Sequence, residues 1–181
     1  RPLKKSKNGW PVGRGVGIGW WPCGVEISSA RIMVNHDGAV DVAIGAVDLH
    51  GIRTGTTQVV AETLGIDMSE VNVHTVDTES IPYTGNAAGS RVTRTLSQAV
   101  YKSGTSIIEQ MKEKMAVRFG VDPDYVEYED GCFFARDNQD TRVLFKDAGK
   151  AVTQNGSNVT ATASNEPGMR PANGYAMSVA D

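Results

Sequence analysis

Cysteine is nearly missing from this chain: Cys23 and Cys132 are the only two in 181 residues. Two thiols far apart in sequence cannot make a disulfide framework or a four-thiolate metal site, and they suit a reducing, cytoplasmic setting. Basic charge is also short. Lys and Arg number 18 against 21 Asp and Glu, a net charge of -3, which excludes the basic stripe of a general nucleic-acid binder. No apolar run approaches the roughly 20 residues of a membrane span; the most hydrophobic stretch, "GVGIGWWPCGV", is broken by glycine. There is no signal-peptide h-region, and the opening "RPLKKSKNG" without methionine reads as a cut inside a longer protein. His36, His50 and His74 lack metal-ligand spacing. No paired carboxylates or Ser-His-Asp order stand out, so no catalytic residue and no metal ligand is assigned.

What remains is patterned. Ile32 and Val34, then Val40, Val42 and Ile44, alternate about Asp37-Gly38, which supplies the residues a type I′ hairpin turn wants. A helix is expected over Thr54 to Leu64 with Gly65 as its C′ residue, and a strand over Val71 to Val76. Leu96, Val100, Ile107, Ile108, Met111 and Met115 recur at spacings of three and four, which predicts one long helix over about 90–119. A second Asp-Gly hairpin centres on Asp130-Gly131. "TRVLF" and "VTATA" read as strands, and Lys146 to Val152 as a short helix. The expected fold class is α+β, a mixed sheet built from hairpins with helices packed on it, forming a single domain over 1–181. Segments 1–12 and 153–174 are expected to be mobile.

Two stretches invite a ligand. Thr84 to Ser90, "TGNAAGS", carries almost no bulk and leads into the long helix, although one glycine suffices for a turn. "LHGIRTGTTQ", from Leu49, places His50 and Gly51 before the other helix. Helix starts collect free N–H groups and attract anions, so both could present backbone donors to one anion. "GRGVGIG", glycines 13 to 19, partly resembles a dinucleotide fingerprint. A nucleotide-binding reading would require strand, loop and helix over Val12 to Pro22; a glycine-rich strand is the alternative.

The run from "GAVDVAIGAVDLHG" through "TTQVVAETLGI" and "DT" to "GSRVT" (Gly89 to Thr93) resembles the molybdopterin-binding large subunit of the xanthine dehydrogenase and aldehyde oxidase family. The final "GYAMSVAD" is similar to a strand further along that subunit. The resemblance implies cofactor contacts from His50, Gly51, Ala88, Gly89, Ser90 and Arg91, with Ala87 beside them. It implies a molybdenum–molybdopterin cofactor, including its cytosine dinucleotide form, whose dithiolene sulfurs hold the metal. It further implies hydroxylation of an aldehyde or N-heterocyclic carbon with oxygen from water. The partners would be the rest of the large subunit and iron–sulfur and FAD subunits or domains, with no nucleic acid and no membrane.

Two positions depart from the family pattern. Leu49-His50-Gly51 stands where the family has Gly-Gln-Gly, and imidazole presents one donor and one acceptor in a geometry unlike an amide's. The glycine-flanked catalytic glutamate is absent; Glu166 in "SNEPG" precedes its expected place. The resemblance therefore implies that these 181 residues alone would be inactive and would lack the cofactor. A non-enzymatic binding or assembly domain that kept the fold and lost the cofactor is the competing reading, with His50 as its sign.

Overall fold

The computed structural model describes residues 4–166, 168 and 170–180. In chain order its strands and helices are β1 (Lys4–Lys5), β2 (Pro11–Val12), β3 (Gly15–Pro22), β4 (Ser29–Val34), β5 (Val40–Ile44), α1 (Ile52–Leu64), β6 (Val71–Thr75), α2 (Val92–Phe119), β7 (Val126–Glu129), β8 (Cys132–Ala135), β9 (Asn138–Leu144), α3 (Phe145–Gln154), β10 (Thr160–Ser164) and β11 (Asn173–Ala180). This is an α+β arrangement.

A four-stranded mixed sheet, ordered β10-β4-β5-β6, forms the centre. Ile32, Val34, Val40, Val42 and Ile44 are buried from β4 and β5. The alternation that predicts the hairpin is thus the alternation of a half-covered sheet. Its turn differs from the expected type I′. Gly38 has φ +81°, but Asp37 is not among the positive-φ residues. Gly38 N donates to Asn35 O at 2.9 Å, and Asn35 N to Ala39 O at 2.8 Å. That is the three-residue loop in which a type I turn ends on a left-handed glycine. Gly38 is also held close by its neighbours, since a Cβ there would collide with the Lys146 carbonyl. The Asp130-Gly131 turn does have both residues left-handed, at φ 50° and 70°.

β5 and β6 run parallel, joined by α1 as a crossover. The long helix α2 is the central beam, burying Leu96, Val100, Ile107, Met111 and Met115 against the sheet and α1. Gly104 permits this closeness, because a Cβ there would run into the Thr63 methyl. The three-stranded sheet β7-β8-β9 and α3 complete the core through Phe133 and Phe145, whose rings lie 6.2 Å apart between centroids.

β3 and β11 form a separate antiparallel ribbon across nearly the whole length of the chain, Gly15 opposite Ala180 and Pro22 opposite Asn173. One face carries Val16, Ile18, Trp20, Tyr175, Met177 and Val179, all well exposed. The other carries Gly15, Gly17, Gly19 and Trp21 opposite Ala180, Ser178, Ala176 and Gly174. Because β3 is extended throughout, "GRGVGIG" is no strand–loop–helix phosphate cradle. The nucleotide-binding reading is overturned. No helix among the described residues is long and apolar enough to cross a membrane.

Candidate functional site

The two tracts singled out in the sequence meet. In a sheet with a parallel pair, the loops leaving the carboxyl ends of the strands open onto a common side. Here those loops are 45–51, after β5, and 76–91, after β6, and they lead into α1 and α2. Between them lies a cleft of about 410 Å³, walled by Val47, Leu49, His50 and Ile52 on one side and Ala87 to Thr93 on the other. Trp21, from the ribbon, lines it as well.

Both walls carry the same unusual backbone. His50 and Gly51 are consecutive left-handed residues at φ 56° and 79°, and so are Gly89 and Ser90 at 61° and 55°. Three non-glycine residues have positive φ among those described, and two of them, His50 and Ser90, line this cleft. Each costs about 1–2 kcal/mol relative to the right-handed region. Strain of this kind persists where the surrounding structure enforces it and concentrates at ligand clamps.

The donor set suits an anion. α2 begins at Val92, and Arg91 at its N-cap position makes no side-chain capping bond; its first turn holds no acidic residue. Its ladder starts only at Thr95 N, which donates to Arg91 O at 3.0 Å. The amides of the preceding turn are therefore left for a partner outside the helix. α1 likewise begins at Gly51 without an N-cap side chain or first-turn acid, although Asp48 Oδ1 accepts from Arg53 N at 3.2 Å. Among the described residues no carboxylate lines the cleft. A larger open depression of about 700 Å³, near the end of α1, is lined by Glu62, Asp67, Glu129 and Asp130 and would repel an anion. The phosphate-friendly place is the smaller cleft.

The small-residue tract divides into two parts with different causes. Gly85 is buried, and a Cβ there would strike the Glu26 carboxylate and the Arg91 guanidinium. Gly89 is needed for its positive φ and for a close approach, since a Cβ would sit 3.2 Å from Gly24 N. Ala87 and Ala88 are exposed on the cleft wall.

Arg91 presents its backbone to the cleft, but its side chain runs inward and is 1% exposed. Nη1 donates to Glu26 O, Ile27 O, Ser28 Oγ and Thr95 Oγ1 at 3.1–3.4 Å. Nε lies 3.3 Å from Glu26 Oε2. Ser28 Oγ also bonds Thr95 Oγ1 at 2.8 Å, and Ser28 N donates to Asn165 Oδ1 at 2.6 Å. This polar web ties the loop to the start of β4 and the end of β10. His50 is exposed on the cleft wall, Gly51 follows it at the start of α1, and Ala88, Gly89 and Ser90 line the opposite wall. Glu166 lies outside the cleft, with Oε1 3.1 Å from Lys102 Nζ. Trp21 and Val47 carry little signal in the sequence, since a single exposed apolar residue, at a strand end or in a loop, has no periodicity to mark it as part of a cleft.

Replacing His50 with Gln is expected to leave folding intact. The side chain is exposed, and histidine's several-fold preference over glutamine for the left-handed region amounts to only about 0.6 kcal/mol. The melting temperature should move by no more than about 2 °C. A larger fall in thermal unfolding would show that the imidazole itself holds the turn.

Comparison with known proteins completes the description. The model of a family described as molybdopterin cofactor-binding domain matches residues 1–180. A putative xanthine dehydrogenase molybdenum-binding subunit of Escherichia coli is 35% identical over 113 residues, covering 58% of this chain and 15% of that protein. The aldehyde oxidoreductase molybdenum-binding subunit of the same species is 31% identical over 123 residues, covering 67% and 16%. The chain thus spans about a sixth of the length of these relatives. Among solved structures, carbon monoxide dehydrogenase from Oligotropha carboxidovorans superposes with a TM-score of 0.80 at 20% identity, over 92% of this chain and 23% of its own. Quinoline 2-oxidoreductase from Pseudomonas putida 86 does so at 0.74 and 18%, over 92% and 24%. These two likenesses concern the fold.

Proposed function

The chain belongs to the molybdopterin cofactor-binding domain family, and from that premise we propose that its cleft is part of the cofactor seat of a molybdenum hydroxylase. The reaction proposed is oxidation of an aldehyde or N-heterocyclic carbon with oxygen taken from water. Molybdenum, held by the sulfurs of the pterin, would supply the two-electron chemistry. Electrons would pass to iron–sulfur and FAD subunits or domains.

The residues of this chain bind and orient; none of them is assigned to proton transfer. The observation that carries the reading is the convergence of two strained left-handed residue pairs and two helix starts without N-cap side chains on one cleft, which no carboxylate lines among the described residues. The amides of Gly89 to Thr93 would hold phosphate, and His50 and Gly51 would close the facing side. Ala87 and Ala88 leave room for a flat ring system. We place the catalytic base outside these residues, because Glu166 is paired with Lys102 away from the cleft. The proposed cofactor is the cytosine dinucleotide form, which brings a second phosphate and a second ring to the same seat.

Molybdenum and pterin analysis of the full-length protein, purified from a host that makes the cofactor, tests this. One molybdenum and one pterin per chain are expected, with cytidine monophosphate released on acid hydrolysis. Clean absence of both metal and pterin would favour a domain that kept the fold and lost the cofactor.

A further inference from the structure

The two faces of the β3–β11 ribbon are unlike each other. Every large side chain but one stands on the face of Val16, Ile18 and Trp20. The other face is built from glycine, alanine and serine, with Trp21 at its end opposite Gly174. Trp21 is 59% exposed, and it is the side chain from this ribbon that lines the cleft. An indole left half in water beside a run of glycine has no packing role on its own face.

Its position is fixed by Cys23 and Gly24, two and three residues further on. Cys23 N donates to Ala172 O at 2.6 Å, and its thiol donates to Ser90 O at 3.0 Å. Gly24 N donates to Gly89 O at 2.9 Å. The end of β3 is therefore clipped to the loop that begins α2, and the indole is held on the same cleft as the free amides. The cleft then offers donors for an anion, aliphatic walls from Val47, Leu49 and Ile52, and one flat aromatic surface. Such a lining is complementary to a ligand that combines a phosphate with a planar ring, since an aromatic face stacks well on another flat ring.

We propose that Trp21 is the stacking surface for a planar heterocyclic ring of the phosphate-bearing cofactor, either the pterin or the terminal base. The small face beyond Trp21 leaves the ring free of collision on the ribbon side. This inference rests on the cofactor reading above and assigns a binding residue within it.

Three variants of the full-length enzyme test it: Trp21→Ala, Trp21→Phe and, as a control on the opposite ribbon face, Trp20→Ala. Removing one stacking aromatic typically weakens binding by about tenfold or more. Molybdenum and pterin should accordingly leave Trp21→Ala about tenfold faster on dialysis. Trp21→Phe should stay within about threefold of the parent, because a phenyl ring still stacks. Trp20→Ala should match the parent. Tryptophan emission gives a second readout. Stripping the cofactor should raise it in the parent, and that rise should shrink in Trp21→Phe.

Repeating the loss measurement with cofactor lacking the nucleotide separates the two rings. A persisting defect in Trp21→Ala assigns the pterin, and a defect seen only with the dinucleotide assigns the base. Parent-like retention by Trp21→Ala with both forms overturns the stacking role and leaves the cofactor reading standing. A parent protein that takes up neither molybdenum nor pterin overturns both.

Discussion

Gly89→Val is expected to cut cofactor retention by about thirtyfold or more, equivalent to about 2 kcal/mol. Two costs combine at this position. Gly89 sits at φ +61°, a region where a β-branched residue is an outlier costing on the order of 1–3 kcal/mol. A Cβ would also stand 3.2 Å from Gly24 N and 3.5 Å from Gly24 Cα, both backbone atoms clipped to this loop. The chain escapes by turning residue 89 to negative φ. That rotation swings its carbonyl off Gly24 N and redirects the Ser90 and Arg91 amides away from the cleft. The damage falls on a partly exposed loop, so the melting temperature should drop by only about 4–8 °C. Gly89→Asn, whose side chain tolerates the left-handed region, should keep retention within about fivefold. Metal and pterin contents measured on the three proteins decide it. Parent-like loading of Gly89→Val would remove this loop from the cofactor seat.

Arg91→Met should destabilise the fold by about 2 kcal/mol, lowering the melting temperature by about 4–8 °C for a domain of this size. The guanidinium is 1% exposed and serves the carbonyls of Glu26 and Ile27 and the hydroxyls of Ser28 and Thr95. Methionine fills much of the volume but leaves Glu26 O without its donor, which costs about 1–3 kcal/mol if it stays buried, whereas Ile27 O keeps the Gly85 amide at 2.9 Å. The ion pair with Glu26 adds less, because that carboxylate is 53% exposed and can turn to water. Arg91→Lys should recover only part of the loss, since the lysine arm is one atom too short to reach the place of Nη1, where all four acceptors gather, and it has no counterpart to the Nε beside Glu26. Thermal unfolding that shows a loss below about 1 kcal/mol would contradict the structural role. Cofactor loading should fall in parallel, because the first turn of α2 hangs from this side chain.

Gly89 and Arg91 differ in how far their placement was legible in the sequence. "GSRVT" read as a ligand loop by resemblance, and its backbone does line the cleft. An arginine beside a glycine-rich helix start suggests a charge contact with an anion, yet here the side chain points inward and is 1% exposed. Its direction follows from the local backbone at residues 89–91 and from the acceptors waiting at the start of β4, more than 60 residues earlier. No local pattern encodes that. Likewise, the type I′ expectation at Asp37-Gly38 rested on residue preference alone. The structure instead brings Gly38 against the Lys146 carbonyl, a contact set by α3.

Periodicity in this chain determined the elements themselves. Alternation fell on β4 and β5, and the three-and-four spacing fell on α2 to within two residues of its start. Both signals arise from burying one face of a single element, so they are complete within a short window. Tertiary structure alone decided the pairing of β3 with β11 and the parallel partnership of β5 with β6. It also placed two strained loops and Trp21 around one cleft. Those outcomes depend on free energy shared between segments far apart in the chain, and residue order along any one of them carries no record of the partner.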